Sequence, residues 1–466
     1  MRPGSGAFST VRASAFLIAA AVLSFLLVAR FGARLAPPDA ARFSAPHPAD
    51  ATGDNTVGAV LRALLVVSLA SQALAALFRR LRQPPVIGEV IAGILLGPSL
   101  FGRLAPAAFE SIFSARALPF LGLLAQVGVI LFMFLVGMEL DTGLVRKRTG
   151  AAVVISLASM TVAFTLGAVL ALWLYPLLAP RNVPFVLFAL FLGIAMSVTA
   201  FPVLVRILTD RGIQKTELGV LAISCAAVDD VMAWCLLAFV SSLGLAHVDG
   251  ALRTFGLTAA YVAIVLALVR PAIRALVRRH ERLGRSTQGL LALMIAAMLT
   301  SALATEWIGI HAVFGAFLIG AVIPHDSQIT GELAAKLQGF VGVLFLPAFF
   351  AFTGLRTQLS LLHDTRLWMI CLAILIVACV GKFGGTFAAA TYTGLPWRDA
   401  ATLGTLMNTR GLMELIVLNI GLEQGVISPT LFSMLVVMAV VTTLATAPVL
   451  DLLAKGGAPL RDAEAG

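Results

Sequence analysis

Long apolar runs follow one another along most of this chain, separated only by short polar segments. A first run covers residues 13–31, and a polar linker at residues 36–56 separates it from about thirteen more. Helices of this length rise about 1.5 Å per residue and can cross much or all of a bilayer core. Because backbone groups inside a membrane must be satisfied within the protein, the pattern predicts an all-α polytopic membrane protein. The thirteen runs span approximately residues 57–78, 85–102, 117–139, 149–175, 184–209, 216–242, 253–272, 287–305, 308–324, 337–357, 367–393, 399–422 and 428–453.

The composition agrees with membrane insertion and argues against several other classes of protein. Hydrophobic residues make up 60% of the 466 residues and charged residues only 12%, whereas a soluble domain carries about 25% charged residues. The net charge of +10 does not indicate nucleic-acid binding, since Lys and Arg lie in short clusters between apolar runs. All four cysteines lie within apolar runs, so they predict neither a disulfide framework nor a zinc site. The sequence contains no set of nucleophile, base and oxyanion donors, so we predict neither an enzyme nor a bound cofactor.

The basic clusters predict how the chain is oriented. They follow the first, third, fifth and seventh of the thirteen runs, so all of them fall on one side of the membrane. The positive-inside rule makes that side cytoplasmic, which predicts a multi-pass protein of the inner (plasma) membrane with a cytoplasmic C-terminus. The clusters are Arg79, Arg80 and Arg82; Arg146, Lys147 and Arg148; Arg211 and Lys215; and Arg274, Arg278, Arg279, Arg282 and Arg285.

The chain divides into three parts on these grounds. Residues 1–56 hold the first hydrophobic segment and the polar linker, residues 57–453 the membrane domain, and residues 454–466 a short cytoplasmic tail. The first apolar run is either a cleaved signal peptide or a retained extra helix. Its apolar part is long for a signal peptide, which favours a retained helix, and both readings fit the predicted orientation.

Two adjacent carboxylates, Asp229 and Asp230, lie midway along the apolar run at residues 216–242. Each costs roughly 2.5–3.5 kcal/mol at the centre of a membrane helix. On a helix, neighbouring residues point about 100° apart, so the two carboxylates cannot share one partner in one direction. We therefore expect one or both of them to bind something that crosses the membrane.

Two other apolar runs contain helix-breaking and polar residues. The fifth run carries Ser197, Thr199 and Pro202, and the twelfth carries the sequence Asn408-Thr409-Arg410-Gly411 followed by Glu414. Proline lacks an amide hydrogen and clashes with the preceding turn of a helix. A single proline would indicate only a kink, but the second interruption favours two broken helices. The breaks are seven runs apart, which predicts two inverted six-helix repeats joined by the seventh run. Paired broken helices in inverted repeats indicate a transport site near the membrane midplane.

The eleventh run supplies a buried positive charge. Lys382 lies near the centre of that run, too deep to reach the surface, so we expect it to pair with Asp229 or Asp230. Gly381 and Gly385 flank it with the spacing of small residues that lets membrane helices approach closely. Arg410 and Glu414 lie four residues apart and are expected to form an internal ion pair that stabilises the second break.

Several motifs occur in order along the apolar runs. They are Gln83-Pro-Pro-Val-Ile-Gly-Glu89, Ala92-Gly-Ile-Leu-Leu-Gly97-Pro98, Phe132-Met-Phe-Leu-Val-Gly-Met-Glu139-Leu-Asp141, Ser197-Val-Thr-Ala-Phe-Pro202, Val228-Asp-Asp-Val-Met-Ala-Trp234, Gly381-Lys-Phe, and Leu406-Met-Asn-Thr-Arg-Gly-Leu-Met-Glu-Leu-Ile416. Taken together, these motifs resemble the sodium/proton exchanger fold of the cation:proton antiporter superfamily. The resemblance covers about residues 57–453 and is closest to the branch with bacterial electrogenic antiporters and plant cation/H+ exchangers.

The resemblance implies an architecture and residue roles. It implies a homodimer in the lipid bilayer, with a core domain from runs four to six and eleven to thirteen that moves like an elevator against a scaffold. By motif position Asp230 would carry the cation and the proton, while Asp229 would pair with Lys382 in one protonation state. Aspartate pairs of this kind accompany electrogenic exchange of two protons for one monovalent cation.

The predicted substrates are Na+ or K+ and H+. The hypothesis is that the deprotonated Asp230 binds the cation together with Thr199, freed backbone carbonyls and water, since such ions favour oxygen ligands. Protonation of the carboxylate then expels the cation. A cation channel and an efflux transporter that exchanges an organic molecule for H+ remain alternatives on the same fold.

Overall fold

The computed structural model describes residues 5–38, 56–81, 83–114, 116–139, 149–244, 248–283, 287–324 and 328–455. Within these ranges the regular structure is entirely helical, which confirms the predicted fold class. Twelve helical spans of the described chain are long and apolar enough to cross a membrane. The α-helices are α1 (Ser5–Gly32), α2 (Thr56–Arg80), α3 (Pro85–Leu96), α4 (Phe101–Leu104), α5 (Pro106–Ile112), α6 (Ala117–Glu139), α7 (Thr149–Leu178), α8 (Phe185–Ser197), α9 (Phe201–Asp210), α10 (Glu217–Gly244), α11 (Val248–Ile264), α12 (Arg270–Leu283), α13 (Thr287–Ile308), α14 (Ala312–Val322), α15 (Gln328–Phe340), α16 (Leu346–Arg356), α17 (Thr365–Cys379), α18 (Gly385–Tyr392), α19 (Trp397–Met407), α20 (Leu412–Glu423) and α21 (Pro429–Lys455).

Three spans contain a π-helical turn between two α-helices. The turn Val265–Val269 joins α11 to α12, Val341–Phe345 joins α15 to α16, and Val380–Gly384 joins α17 to α18. One extra residue in such a turn rotates the side chains beyond it, and these turns often occur at functional sites. The third turn carries Lys382.

Two of the thirteen predicted runs are not among these twelve spans. The run at residues 308–324 is α14, with 11 residues. The run at residues 399–422 is divided into α19 and α20, with 11 and 12 residues. Most residues of these helices are buried. Short and broken helices are tolerated at membrane depth when protein rather than lipid surrounds their ends.

The described residues of the predicted basic clusters lie at one end of the helical bundle. α2 ends with Arg79 and Arg80, Arg211 follows α9, and α12 carries Arg274 and Arg278. Successive crossings place these positions on one face, here called the inner face, and the opposite face is the outer face. Arg82, Arg146, Lys147, Arg148 and Arg285, like the linker at residues 39–55 and the tail at residues 456–466, lie outside the described residues.

The helices pack in two groups. α7 packs against α8, α10 and α18, and α19 packs against α18 and α21. These helices, α7–α10 and α17–α21, are called the core group. α14 packs against α6 and α13, and α16 packs against α2, α3 and α6. These helices, α2, α3, α6 and α11–α16, are called the scaffold group. The helices that carry the aspartates, the lysine and both breaks all belong to the core group.

The N-terminal helix α1 packs against the core group through α7 and α8. Ser24 and Thr165 share a hydrogen bond of 3.0 Å between their hydroxyl oxygens. The rings of Phe25 and Phe164 lie 5.8 Å apart. A Cβ atom at Gly32 would lie 1.9 Å from the ring of Phe185, so only glycine permits this approach. These contacts are those of a packed membrane helix.

We therefore expect α1 to remain in the mature protein. The hydrogen bond to Thr165 and the close approach at Gly32 are specific to the folded bundle, and a signal peptide removed on export has no need of them. Intact-mass measurement of the purified protein, expressed with a C-terminal tag, checks this. A mass that lacks the residues through Gly32 would show that the first apolar run is cleaved.

Candidate functional site

Both predicted helix breaks are present and lie against each other. α8 ends at Ser197 and α9 begins at Phe201, while α19 ends at Met407 and α20 begins at Leu412. The backbone N–H of Ala200 donates to the carbonyl of Thr409 over 3.0 Å. The breaks therefore form one site at which four half-helix ends meet.

Pro202 and Gly411 fit the breaks in different ways. Pro202 lies in the first turn of α9, where its missing amide hydrogen costs no helical bond. A Cβ atom at Gly411 would lie 2.7 Å from a methyl carbon of Val203 in α9. Glycine at this position therefore allows the start of α20 to approach α9 closely.

Arg410 holds the end of α8. Its guanidinium donates to the carbonyls of Ala195 over 2.7 Å and Met196 over 2.6 Å, and lies 3.3 Å from the carboxylate of Glu414. All of these side-chain contacts are buried. The predicted Arg410–Glu414 pair is present, and the arginine has a second role as a cap for carbonyls of the opposite break. A cation at a helix C-terminus is also favoured by the helix dipole.

Replacing Arg410 with Gln is expected to destabilise the protein by about 3–5 kcal/mol, because it leaves a buried carboxylate without its charge partner. Replacement with Lys should recover only part of the loss, since an ammonium group lacks the planar fork that reaches two carbonyls. Thermal unfolding in detergent measures both effects. Arg206→Gln is the control, because Arg206 forms an exposed pair with Asp210 that is worth little. Equal melting temperatures for Arg410→Gln and Arg206→Gln would contradict the capping role.

Both carboxylate oxygens of Asp229 have hydrogen-bond partners within the protein. Lys382 Nζ donates to its Oδ2 over 2.5 Å, and the hydroxyl of Thr199 lies 2.7 Å from the same oxygen. The hydroxyl of Ser156 in α7 donates to Oδ1. Asp229 and Lys382 are both completely buried. Charge and hydrogen bonds therefore compensate the burial of this carboxylate.

The π-helical turn positions Lys382. A Cβ atom at Gly381 would lie 2.9 Å from the backbone of Ala163, and one at Gly385 would lie 3.2 Å from that of Ser159. Both glycines therefore pack directly against α7, as their spacing predicted. From this position the lysine also donates to the carbonyl of Ser197 over 2.5 Å. Lys382 thus links the aspartate helix to the first break.

Asp230 differs sharply from its neighbour. Its side chain is 1% exposed, yet neither carboxylate oxygen has a hydrogen-bond partner within the part of the chain that the structure describes. The second break contributes two more buried oxygens in the same condition, the side-chain oxygens of Asn408 and Thr409. Unpartnered buried oxygen atoms are costly unless something else binds them.

Some of the groups predicted to bind the cation contact other parts of the protein in this structure. Thr199, expected to assist Asp230, places its hydroxyl against Asp229 and 2.9 Å from the carbonyl of Met407. Three backbone carbonyls at the end of α8, those of Ala195, Met196 and Ser197, are bound by Arg410 and Lys382. Sequence reasoning missed Ser156, whose only signal is a small polar residue in an apolar run.

Comparison with known proteins identifies the family. The family model described as "sodium/hydrogen exchanger, transmembrane" matches residues 64–454. A Na+/H+ antiporter, NhaS4, from Synechocystis sp. is 44% identical over 396 residues, covering 84% of this chain and 97% of that protein. This chain belongs to the sodium/hydrogen exchanger family.

More distant relatives match the same part of the chain. Cation/H+ antiporter 18 of Arabidopsis thaliana is 39% identical over 404 residues, and K+/H+ antiporter 1 of Saccharomyces cerevisiae is 36% identical over 388 residues. The aligned regions cover 50% and 44% of these two proteins, so the chain matches about half the length of each.

A solved structure of this fold is also similar. The sodium proton antiporter MjNhaP1 from Methanocaldococcus jannaschii matches with a TM-score of 0.59, over 86% of this chain and 98% of that chain. The two sequences are 15% identical, so this likeness supports the fold alone.

Proposed function

We propose that this protein exchanges a monovalent cation, Na+ or K+, for protons across the membrane, with Asp230 as the group for which they compete. The observation that carries the proposal is the pair of unpartnered oxygens on a buried carboxylate beside two helix breaks. The names of the relatives, which include antiporters for Na+, for K+ and for unspecified cations, support the same class of activity.

The chemistry of competition follows from the carboxylate. An unprotonated Asp230 offers two oxygen ligands of the kind that alkali cations prefer, by analogy with calcium and magnesium. The unpartnered oxygens of Asn408 and Thr409 lie in the break that packs beside α10, and we infer that they assist, together with Thr199 and water. A proton on Asp230 removes its charge and one acceptor, so the cation leaves.

Asp229 and Lys382 form a second unit that responds to protons. The salt bridge exists only while the aspartate is ionised and the lysine is charged, so uptake of a proton by Asp229 breaks it. A cycle in which both aspartates take up protons carries two protons against one cation and is therefore electrogenic.

We further propose that the core group moves against the scaffold group during transport. Every polar residue of the site lies on core helices, so an elevator-like shift would carry the site as a unit from one face to the other. We propose that the protein works as a homodimer through its scaffold helices. In the inner (plasma) membrane, the basic ends of α2 and α12 would face the cytoplasm, as would the C-terminus.

Transport by purified protein in proteoliposomes tests the function. An imposed gradient of Na+ or K+ should drive proton movement in the opposite direction, read by a pH dye, and the rate should saturate with cation concentration. A voltage dye should report net charge movement in the same vesicles. Cation flux without coupled proton movement would favour a channel and contradict antiport. Proton flux driven only by an organic compound would favour the efflux alternative.

A further inference from the structure

A polar contact joins the core and scaffold groups at the outer face, away from the site. Arg356, the last residue of α16, lies 2.8 Å from the carboxylate of Glu423, the last residue of α20. The same Nη1 atom donates to the side-chain carbonyl of Asn419 over 3.1 Å. Its guanidinium also lies 4.7 Å from the centre of the Phe352 ring. One arginine of the scaffold thus binds two side chains on the last turns of a core helix.

Two further hydrogen bonds cross the same boundary. Gln126 of α6 donates to the second carboxylate oxygen of Glu423 over 3.1 Å. The amide of Asn419 donates to the hydroxyl of Thr353 in α16 over 2.8 Å. The end of α20 is therefore held by two scaffold helices, and both oxygens of Glu423 are occupied. An isolated surface pair is worth about 0–1 kcal/mol, but a connected network of this kind contributes more reliably.

The charge of Glu423 is balanced by Arg356 rather than by the nearby histidine. His311 lines the same cavity of about 30 Å³ as Gln126, Asn419 and Glu423. Arg356 is the cation that forms an ion pair with Glu423, at 2.8 Å.

A second contact between the core and scaffold groups lies nearer to Asp230. Trp234 lies one helical turn beyond Asp230 toward the outer end of α10. Its ring stacks on Phe317 of the scaffold helix α14, with centroids 6.1 Å apart. An aromatic contact therefore closes the boundary near the carboxylate, and the polar network closes it again at the surface.

We propose that Arg356, Glu423, Asn419 and Gln126 form an outer latch that holds the core group in the state closed to the outside. The latch opens once in each transport cycle, since α20 must separate from α16 when the site faces outward. This inference rests on the proposed alternating-access function. It makes these residues determinants of the balance between conformations rather than ligands of the transported ion.

Labelling of a cysteine beneath the latch tests this directly. Ile416 lines the cavity below Asn419 and is 2% exposed. In a chain whose four native cysteines are replaced, Ile416→Cys is treated from outside with a membrane-impermeant maleimide. Arg356→Gln and Glu423→Gln should each raise the labelling rate about fivefold, the change in an opening equilibrium that corresponds to about 1 kcal/mol. The charge swap Arg356→Glu with Glu423→Arg should return the rate to within about twofold of the parent, since the pair is restored.

Controls separate the latch from general damage and from failure of the proposed function. Arg366→Gln removes an exposed arginine near the same face and should leave labelling unchanged. Gln126→Ala provides a milder change that keeps the ion pair and should raise labelling less than Arg356→Gln. Unchanged labelling in Arg356→Gln and Glu423→Gln would overturn the latch even if the parent protein transports normally. Absence of cation-driven proton exchange by the parent would overturn the proposed function, while the labelling comparison would still decide the latch.

Discussion

Replacing Asp230 with Asn is expected to reduce cation-driven proton exchange to the level of protein-free proteoliposomes. The amide cannot ionise, so it offers the cation no negative charge and the proton no site. The fold should survive the change, because the carboxylate oxygens of Asp230 make no hydrogen bond among the described residues and the amide has the same shape. Removal of a buried charge without a partner should leave the melting temperature equal to that of the parent or raise it.

A matched carboxylate makes this comparison specific. Asp210 pairs with Arg206 at the inner face and is largely exposed, so Asp210→Asn should retain exchange. Both variants are compared at equal protein density in the same vesicles. Exchange by Asp230→Asn at a rate near that of Asp210→Asn would exclude Asp230 as the carrier.

Replacing Lys382 with Met is expected to destabilise the protein by about 3–5 kcal/mol, because the completely buried Asp229 loses its charge partner. Methionine preserves much of the side-chain length and packing, so the loss reports on charge rather than on a cavity. The hydrogen bonds from Ser156 and Thr199 to Asp229 remain but do not supply a compensating charge. Thermal unfolding in detergent measures the change.

The double variant decides whether the loss belongs to the pair. Asp229→Asn combined with Lys382→Met removes both charges, so most of the lost stability should return. The interaction energy between the two changes should then be at least as large as the effect of Lys382→Met alone. If the double variant is less stable than Lys382→Met, the lysine stabilises the fold through its bond to Ser197 rather than through Asp229.

The spans and breaks could be predicted because each depends on local sequence. An apolar run sets the position of α7 or α10, and Pro202 and Gly411 mark the interruptions with residues that regular helices avoid. The membrane strengthens such predictions, since every polar residue within it needs a reason. Adjacent aspartates and a central lysine therefore indicate the site from the sequence alone.

The contacts within the site could not be predicted in the same way. The ion pair of Arg410 with Glu414 can be predicted because the two residues lie four positions apart in the sequence. Its other partners, the carbonyls of Ala195 and Met196, lie at the opposite break and have no such local signal. The π-helical turn at Lys382 has no dependable sequence signal, yet it helps determine where the lysine points. The difference between Asp229 and Asp230 arises because Ser156, Thr199 and Lys382 all contact Asp229. These residues come from distant parts of the chain, so their meeting is a property of the assembled bundle.

Proton release on cation binding shows whether cation and proton compete for Asp230. Purified protein in weakly buffered detergent solution is mixed with NaCl or KCl, and a pH dye records the protons released, with choline chloride as the control. We expect acidification by Na+ or K+ in the parent protein and in Asp210→Asn, and none in Asp230→Asn. Cation binding without proton release in the parent, or equal release from Asp230→Asn, would exclude competition at Asp230.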